Sequence, residues 1–154
     1  MFRHDFWCSP ICPLCFQKTK MNLFSAQPSE IIWAVNSGGS VFYRDGFAGT
    51  WTTTDGVLKH VTSGKLGVFG VNFGDEIYYR TGTMEDPTSA GTGWQLLPGL
   101  LKRVSAGKST VWGVNSANNI FYMKNIRNHQ GVLSLEWVHT DGILNRIASS
   151  PGKV

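Results

Sequence analysis

Cysteine is confined to one end of the sequence: Cys8, Cys12 and Cys15 are the only three, and nothing after residue 15 adds another. A disulfide framework is therefore excluded for the rest of the chain. Charge is also scarce, at 16% of 154 residues. Half of the net +4 sits in the first twenty residues, where Arg3, Lys18 and Lys20 outnumber Asp5. The remainder is nearly neutral and holds no basic cluster, which argues against nucleic acid as a partner. No stretch approaches the ~20 consecutive apolar residues of a membrane helix, so no transmembrane segment is expected. A clear signal peptide is missing too. The apolar run from Phe6 to Phe16 is broken by Pro10 and Pro13, and no small-residue cleavage site follows it.

Catalytic signatures are equally scarce. There is no G-x-S-x-G, no H-E-x-x-H, no P-loop and no pair of carboxylates at matching positions. His60, His129 and His139 have no counterparts elsewhere in the chain and no evident partner. The expectation is a protein that is not an enzyme and needs no cofactor. His4, Cys8, Cys12 and Cys15 are ligand-type residues, and Cys12 and Cys15 form a C-x-x-C. Their spacing is not that of a zinc finger, no second C-x-x-C exists, and two prolines lie among them. No metal site is expected there.

What the sequence does have is glycine, 18 residues, and aromatics, 12%. That mixture suits short strands joined by tight turns. It also has a repeat. Trp51, Trp94 and Trp137 are spaced 43 residues apart, and each is followed by a glycine (Gly56, Gly99, Gly142) and then a leucine (Leu58, Leu101, Leu144). A second set of anchors reads IIWAVN, VFGVN and VWGVN, ending at Asn36, Asn72 and Asn115. Each of these asparagines is followed by a β-rich tripeptide beginning at Val41, Ile77 or Ile120. The first copy is shorter only between Arg44 and Trp51, and length variation confined to one loop is what repeat folds tolerate.

Each unit divides into four short strands. In the last full unit they are expected at Leu101–Ser105, Val111–Val114, Ile120–Tyr122 and Trp137–Thr140. The glycine inside the apolar strand implies close approach of a neighbouring backbone. The four residues after each asparagine form a hairpin turn, and Asp-Gly or Pro-Gly before the leucine marks another. Four strands in about forty residues make a propeller blade. The predicted fold is all-β. A leader over residues 1–20 is followed by blades at about 21–60, 61–103 and 104–146, within a repeat region of 21–150, and by a tail of 151–154. Three blades make an incomplete ring. The chain stops in mid-unit, so it reads either as a fragment or as half of a homodimer that completes the ring.

At the strings GLLKRVSAGKSTVWGVNSANNIFYMK and GVLKHVTSGKLGVFGVNFGDEIYYRTG the chain resembles the tectonin-repeat family, and within it the fish-egg lectins. The resemblance implies a β-propeller that binds glycans, such as N-acetylglucosamine-type sugars or bacterial lipopolysaccharide, in an extracellular setting linked to innate defence. It also admits an alternative, the intracellular tectonin proteins, which act as protein-interaction propellers in membrane trafficking. The candidate carbohydrate-binding residues are Asn36, Asn72, Asn115, Trp33, Trp112, Arg44, Arg80 and Lys124. Each has a structural alternative. The asparagines suit capping of the turn after their strand. Trp33 and Trp112 either stack on a sugar face or pack in the core. Arg44, Arg80 and Lys124 either hold an acidic group or are edge charges. Trp51, Trp94 and Trp137, with Gly56, Gly99 and Gly142, are read as structural anchors packed between blades.

Overall fold

The computed structural model describes residues 22–24, 31–86, 88–127 and 133–149. His4, Cys8, Cys12, Cys15 and His129 lie outside the described residues. The described residues form three four-stranded antiparallel sheets and no helix. The first sheet contains β1 (Asn22–Phe24), β2 (Ile31–Val35), β3 (Ser40–Asp45) and β4 (Thr52–Val57). The second contains β5 (His60–Gly64), β6 (Gly67–Val71), β7 (Glu76–Thr81) and β8 (Gly93–Leu100). The third contains β9 (Arg103–Ala106), β10 (Val111–Val114), β11 (Asn119–Arg127) and β12 (Leu133–Ile143). Strand order in space equals order in the chain within each sheet, the up-and-down arrangement of a propeller blade.

The blades stack through two apolar cores. Trp33, Val35 and Val41 of the first blade meet Leu58, Val61 and Val68. Phe69, Val71 and Ile77 of the second meet Leu101, Val104, Val111 and Met123. Each blade thus has a leading face, turned to the blade before it, and a trailing face, turned to the blade after. IIWAV and GVFGV are continuous apolar runs because β2 and β6 are buried on both faces. The glycine in the run has a defined cause: a neighbouring backbone oxygen does come close, His60 O at Gly70 and Arg103 O at Gly113, but a leucine side chain comes closer still. A methyl group on Gly70 would run into Leu58 Cδ1, and one on Gly113 into Leu101 Cδ1. The linker leucine of each junction needs that space.

Two local readings change. The Asp-Gly and Pro-Gly pairs are not turns but bulges within the outer strands. Register shifts fall between Ser40 and Val41, Glu76 and Ile77, and Asn119 and Ile120. Opposite them Gly56, Gly99 and Gly142 take φ of 93°, 93° and 112°, left-handed values that a side chain resists. Asp-Gly suits a turn and a bulge equally well, so only the pairing partners separate the two. The third blade's long loop is instead taken up by strand extension, with Lys124 opposite Glu136 and Arg127 opposite Leu133.

The asparagine after each apolar strand organises its hairpin. Asn72 Oδ1 accepts from Gly74 N at 2.9 Å and Glu76 N at 3.0 Å. Asn36 Oδ1 accepts from Gly38 N and Ser40 N at 3.1 and 2.9 Å, and Asn115 Oδ1 from Asn119 N at 2.9 Å. The fourth turn residue is left-handed each time, at Gly39, Asp75 and Asn118. Replacing Asn72 with alanine strips two backbone donors of their acceptor and is expected to cost about 1–2 kcal/mol. A chemical-denaturation midpoint reads this directly, and an unchanged midpoint would contradict the capping role.

Candidate binding surface

The candidate residues do not converge on one cleft. Trp33 is only 1% exposed, so its ring cannot stack on a sugar. It packs on Tyr43 and, edge-on, on Trp94, with ring centroids 5.6 and 6.1 Å away. The three asparagines lie on one rim, each with Oδ1 committed to its own turn. Trp112 is half-buried on the trailing face of the third blade, its ring 5.3 Å from that of Tyr122. Its indole Nε1 donates to Thr110 Oγ1 at 3.0 Å.

Arg80 belongs to the structure of the first junction. It is 5% exposed. Its Nε donates to Ala90 O and its Nη2 to Thr54 Oγ1, both at 2.9 Å, and its Nη1 pairs with Asp55. The guanidinium lies over Trp33 and Trp94, 5.8 and 5.3 Å from their centroids, a cation–π geometry. Trp94 Nε1 donates to Asp55 O at 2.9 Å. The Thr54 hydroxyl, ahead of Arg80, holds the Asp55 carboxyl below its ordinary value. The charge of Arg80 is thus already paired with Asp55 inside the junction.

Arg44 repeats the pose, with Nε on Gly46 O at 2.9 Å and the guanidinium 5.2 Å from the Trp51 ring. Lys124 does not. Arg80 faces Trp94 across the strands and Met123 faces Trp137, so Met123 is the equivalent of Arg80 and Lys124 is one residue further on. Met123 is 1% exposed, while Lys124 is solvent-exposed. Sequence reasoning missed both Met123 and the Thr54–Asp55 pair. Aligning TTTDG, QLLPG and VHTDG by their bulge glycines would have found the pair.

Trp51, Trp94 and Trp137 are half-buried, less enclosed than expected of core residues. Trp94 lies flat enough on the preceding blade that a methyl on Gly56 would stand 2.8 Å from its Nε1. Trp137 takes the same place over Gly99. Trp94 and Trp137 therefore seal the outer ends of the two junctions.

Between neighbouring turns of the rim stand Lys59 and Lys102. Lys59 Nζ pairs with Asp75, whereas among the described residues Lys102 Nζ reaches amide oxygens alone, those of Asn118 and Asn145, the latter at 2.8 Å. Among the described residues no carboxylate pairs with Lys102. Among the described residues no cluster of His, Cys, Asp and Glu could hold a metal, and no helix is long and apolar enough to cross a membrane.

A family model for the tectonin domain matches residues 17–154. The chain belongs to the tectonin family. Solved structures similar to this tectonin chain share its fold. Human WBSCR16 superposes with a TM-score of 0.60 at 13% identity, over 86% of this chain and 43% of that one. Yeast RCC1 (Prp20), in a crystal structure bound to Kap60, gives 0.54 at 13% identity, over 88% and 41%. The tectonin chain thus spans well under half the length of these propellers. No curated protein sequence matches it.

Proposed function

We propose that this tectonin protein is a non-enzymatic, lectin-like binding module that recognises glycans through the polar rim of its hairpin turns. The observation that carries the reading is repetition. Three turns at 36–39, 72–75 and 115–118 share one backbone geometry, each opened by an asparagine and closed by a left-handed residue, with Lys59 and Lys102 between them. Weak contacts to a repeating ligand add up through multivalency, and a glycan is a repeating ligand. The lysine that faces only amides suits phosphate on a lipopolysaccharide. N-acetylglucosamine polymers and lipopolysaccharide are the ligands to try first, in an extracellular setting with a role in innate defence. Asn36, Asn72 and Asn115 serve this surface by shaping it.

A second reading, an intracellular protein-interaction propeller, draws support from Phe73, exposed in the middle turn of the same rim. A glycan array followed by bead binding separates the two. Binding to lipopolysaccharide-coated beads is expected to fall about tenfold in Lys102→Glu, the loss of one charge-assisted contact. Failure to bind any arrayed glycan would remove the lectin reading and leave the second.

A further inference from the structure

The ends of the blades opposite the asparagine turns carry a repeated feature of their own. The turn after the innermost strand begins Gly64-Lys65 in the second blade and Gly107-Lys108 in the third, at equivalent places in the repeat. The two turns touch. A methyl group on Gly64 would stand 2.7 Å from Gly107 O and 2.8 Å from Ala106 O, so glycine is what lets the two backbones meet. That contact fixes where the two lysines leave the backbone relative to each other. Both lysine side chains are exposed, and neither forms an ion pair among the described residues.

Beside the turns opens a cleft of about 440 Å³, lined by Lys65, Leu66, Glu85, Lys108 and Ser109, a volume within the range of small-molecule sites. Leu66 belongs to the apolar core and gives the cleft an apolar wall. Glu85 stands there on a strained backbone. Its φ is 56°, a left-handed value of the kind that persists at binding sites, and its N donates to Lys65 O at 3.0 Å. The root of its loop is fixed by Thr83, whose Oγ1 donates to Arg80 O at 2.7 Å and accepts from Val68 N at 3.0 Å. The neighbouring Asp86 is turned to Thr88, accepting from its N and Oγ1 at 3.0 and 2.6 Å.

We propose that this cleft binds a sugar acid, a uronic acid residue of a glycan. Two ammonium groups and one carboxylate give the lining a single net positive charge. One sugar carboxylate balances that charge, whereas a dianionic phosphate exceeds it. Lys65 and Lys108 hold the sugar carboxylate through charge-assisted hydrogen bonds. Ring hydroxyls donate to the Glu85 carboxylate and exchange bonds with Ser109 Oγ, and the C–H face of the ring rests on Leu66. A simple inorganic anion would use the lysines alone and meet Glu85 as a like charge. The ligand class is that of the proposed lectin, but the surface lies at the other end of the blades and does not include Lys102.

The test is a titration of the full chain followed by backbone amide NMR shifts. Methyl glucuronide is the probe, beside methyl glucoside, which lacks the carboxylate, and inorganic sulfate. The glucuronide is expected to shift the amides of residues 64–66, 85 and 107–110 and to bind at least about tenfold more tightly than either control. Lys65→Gln and Lys108→Gln should each weaken it about tenfold, the loss of one charge-assisted contact. Both lysines are exposed, so their denaturation midpoints should not move. Lys102→Glu, the variant that probes the asparagine-turn rim, should leave glucuronide binding as it is, which separates failure of the rim from failure of the cleft. Glucoside or sulfate binding as tightly as the glucuronide, amide shifts that lie elsewhere, or lysine variants that bind like the unaltered protein would each overturn the proposal.

Discussion

Phe69→Ala is expected to destabilise the protein by about 3–5 kcal/mol, the range for large aromatic truncations in packed cores. Phe69 lies on β6, the second strand of the middle blade, and is fully buried. Its ring packs on Tyr79, with centroids 5.3 Å apart, in the cluster that includes Val71, Ile77, Leu97 and Leu101. The void cannot close easily, because β6 is hydrogen-bonded to β5 on one side and β7 on the other. The middle blade also supports both neighbours, so loosening it weakens two junctions at once. Urea denaturation measures the effect. A loss below about 1 kcal/mol would mean that the two blades do not share this core. Phe69→Leu, which keeps most of the volume, should cost clearly less.

Stability should also fall as the solution is acidified from pH 7 towards pH 4, and His60 is the cause. The side chain is buried and its Nε2 lies 2.7 Å from Val104 O. A carbonyl only accepts, so Nε2 carries the proton of the neutral ring. Burial, the dominant influence, holds the imidazole at about 4 against an ordinary 6.5, and Arg103 and Lys59 push the same way against the Val104 bond. The unfolded chain takes up its proton near 6.5, and the folded chain only near 4. The unfolded state therefore binds more protons inside that window, and stability drops as pH falls through it. Below about 4 the contribution levels off. The full loss is on the order of 3 kcal/mol, from 1.36 kcal/mol per unit of pKa difference. His60→Gln should flatten this part of the profile. A profile that keeps its slope after the substitution would assign the acid sensitivity elsewhere.

His60 also marks where reading the sequence stopped. It has no repeat counterpart, and its partner Val104 is 44 residues away in the next blade. Nothing local points to that carbonyl. The same holds for Arg80, whose acceptors Thr54 and Asp55 lie 26 and 25 residues back. Seen alone, an arginine after a Tyr-Tyr strand is as well suited to a ligand as to a junction.

The repeat, the four strands of each unit, the hairpins at Asn36, Asn72 and Asn115 and the tectonin family were all determined by the sequence itself. Those features depend on local periods, two along a strand and about 43 along the chain, and on turn chemistry that a few neighbouring residues contain. Burial of Trp33, the bulges at Gly56, Gly99 and Gly142, the leucine over Gly70 and the burial of Met123 at the second junction were decided only by tertiary structure. Each depends on which face of one blade meets which face of the next. That pairing is set by register and stacking over distances that no local pattern encodes.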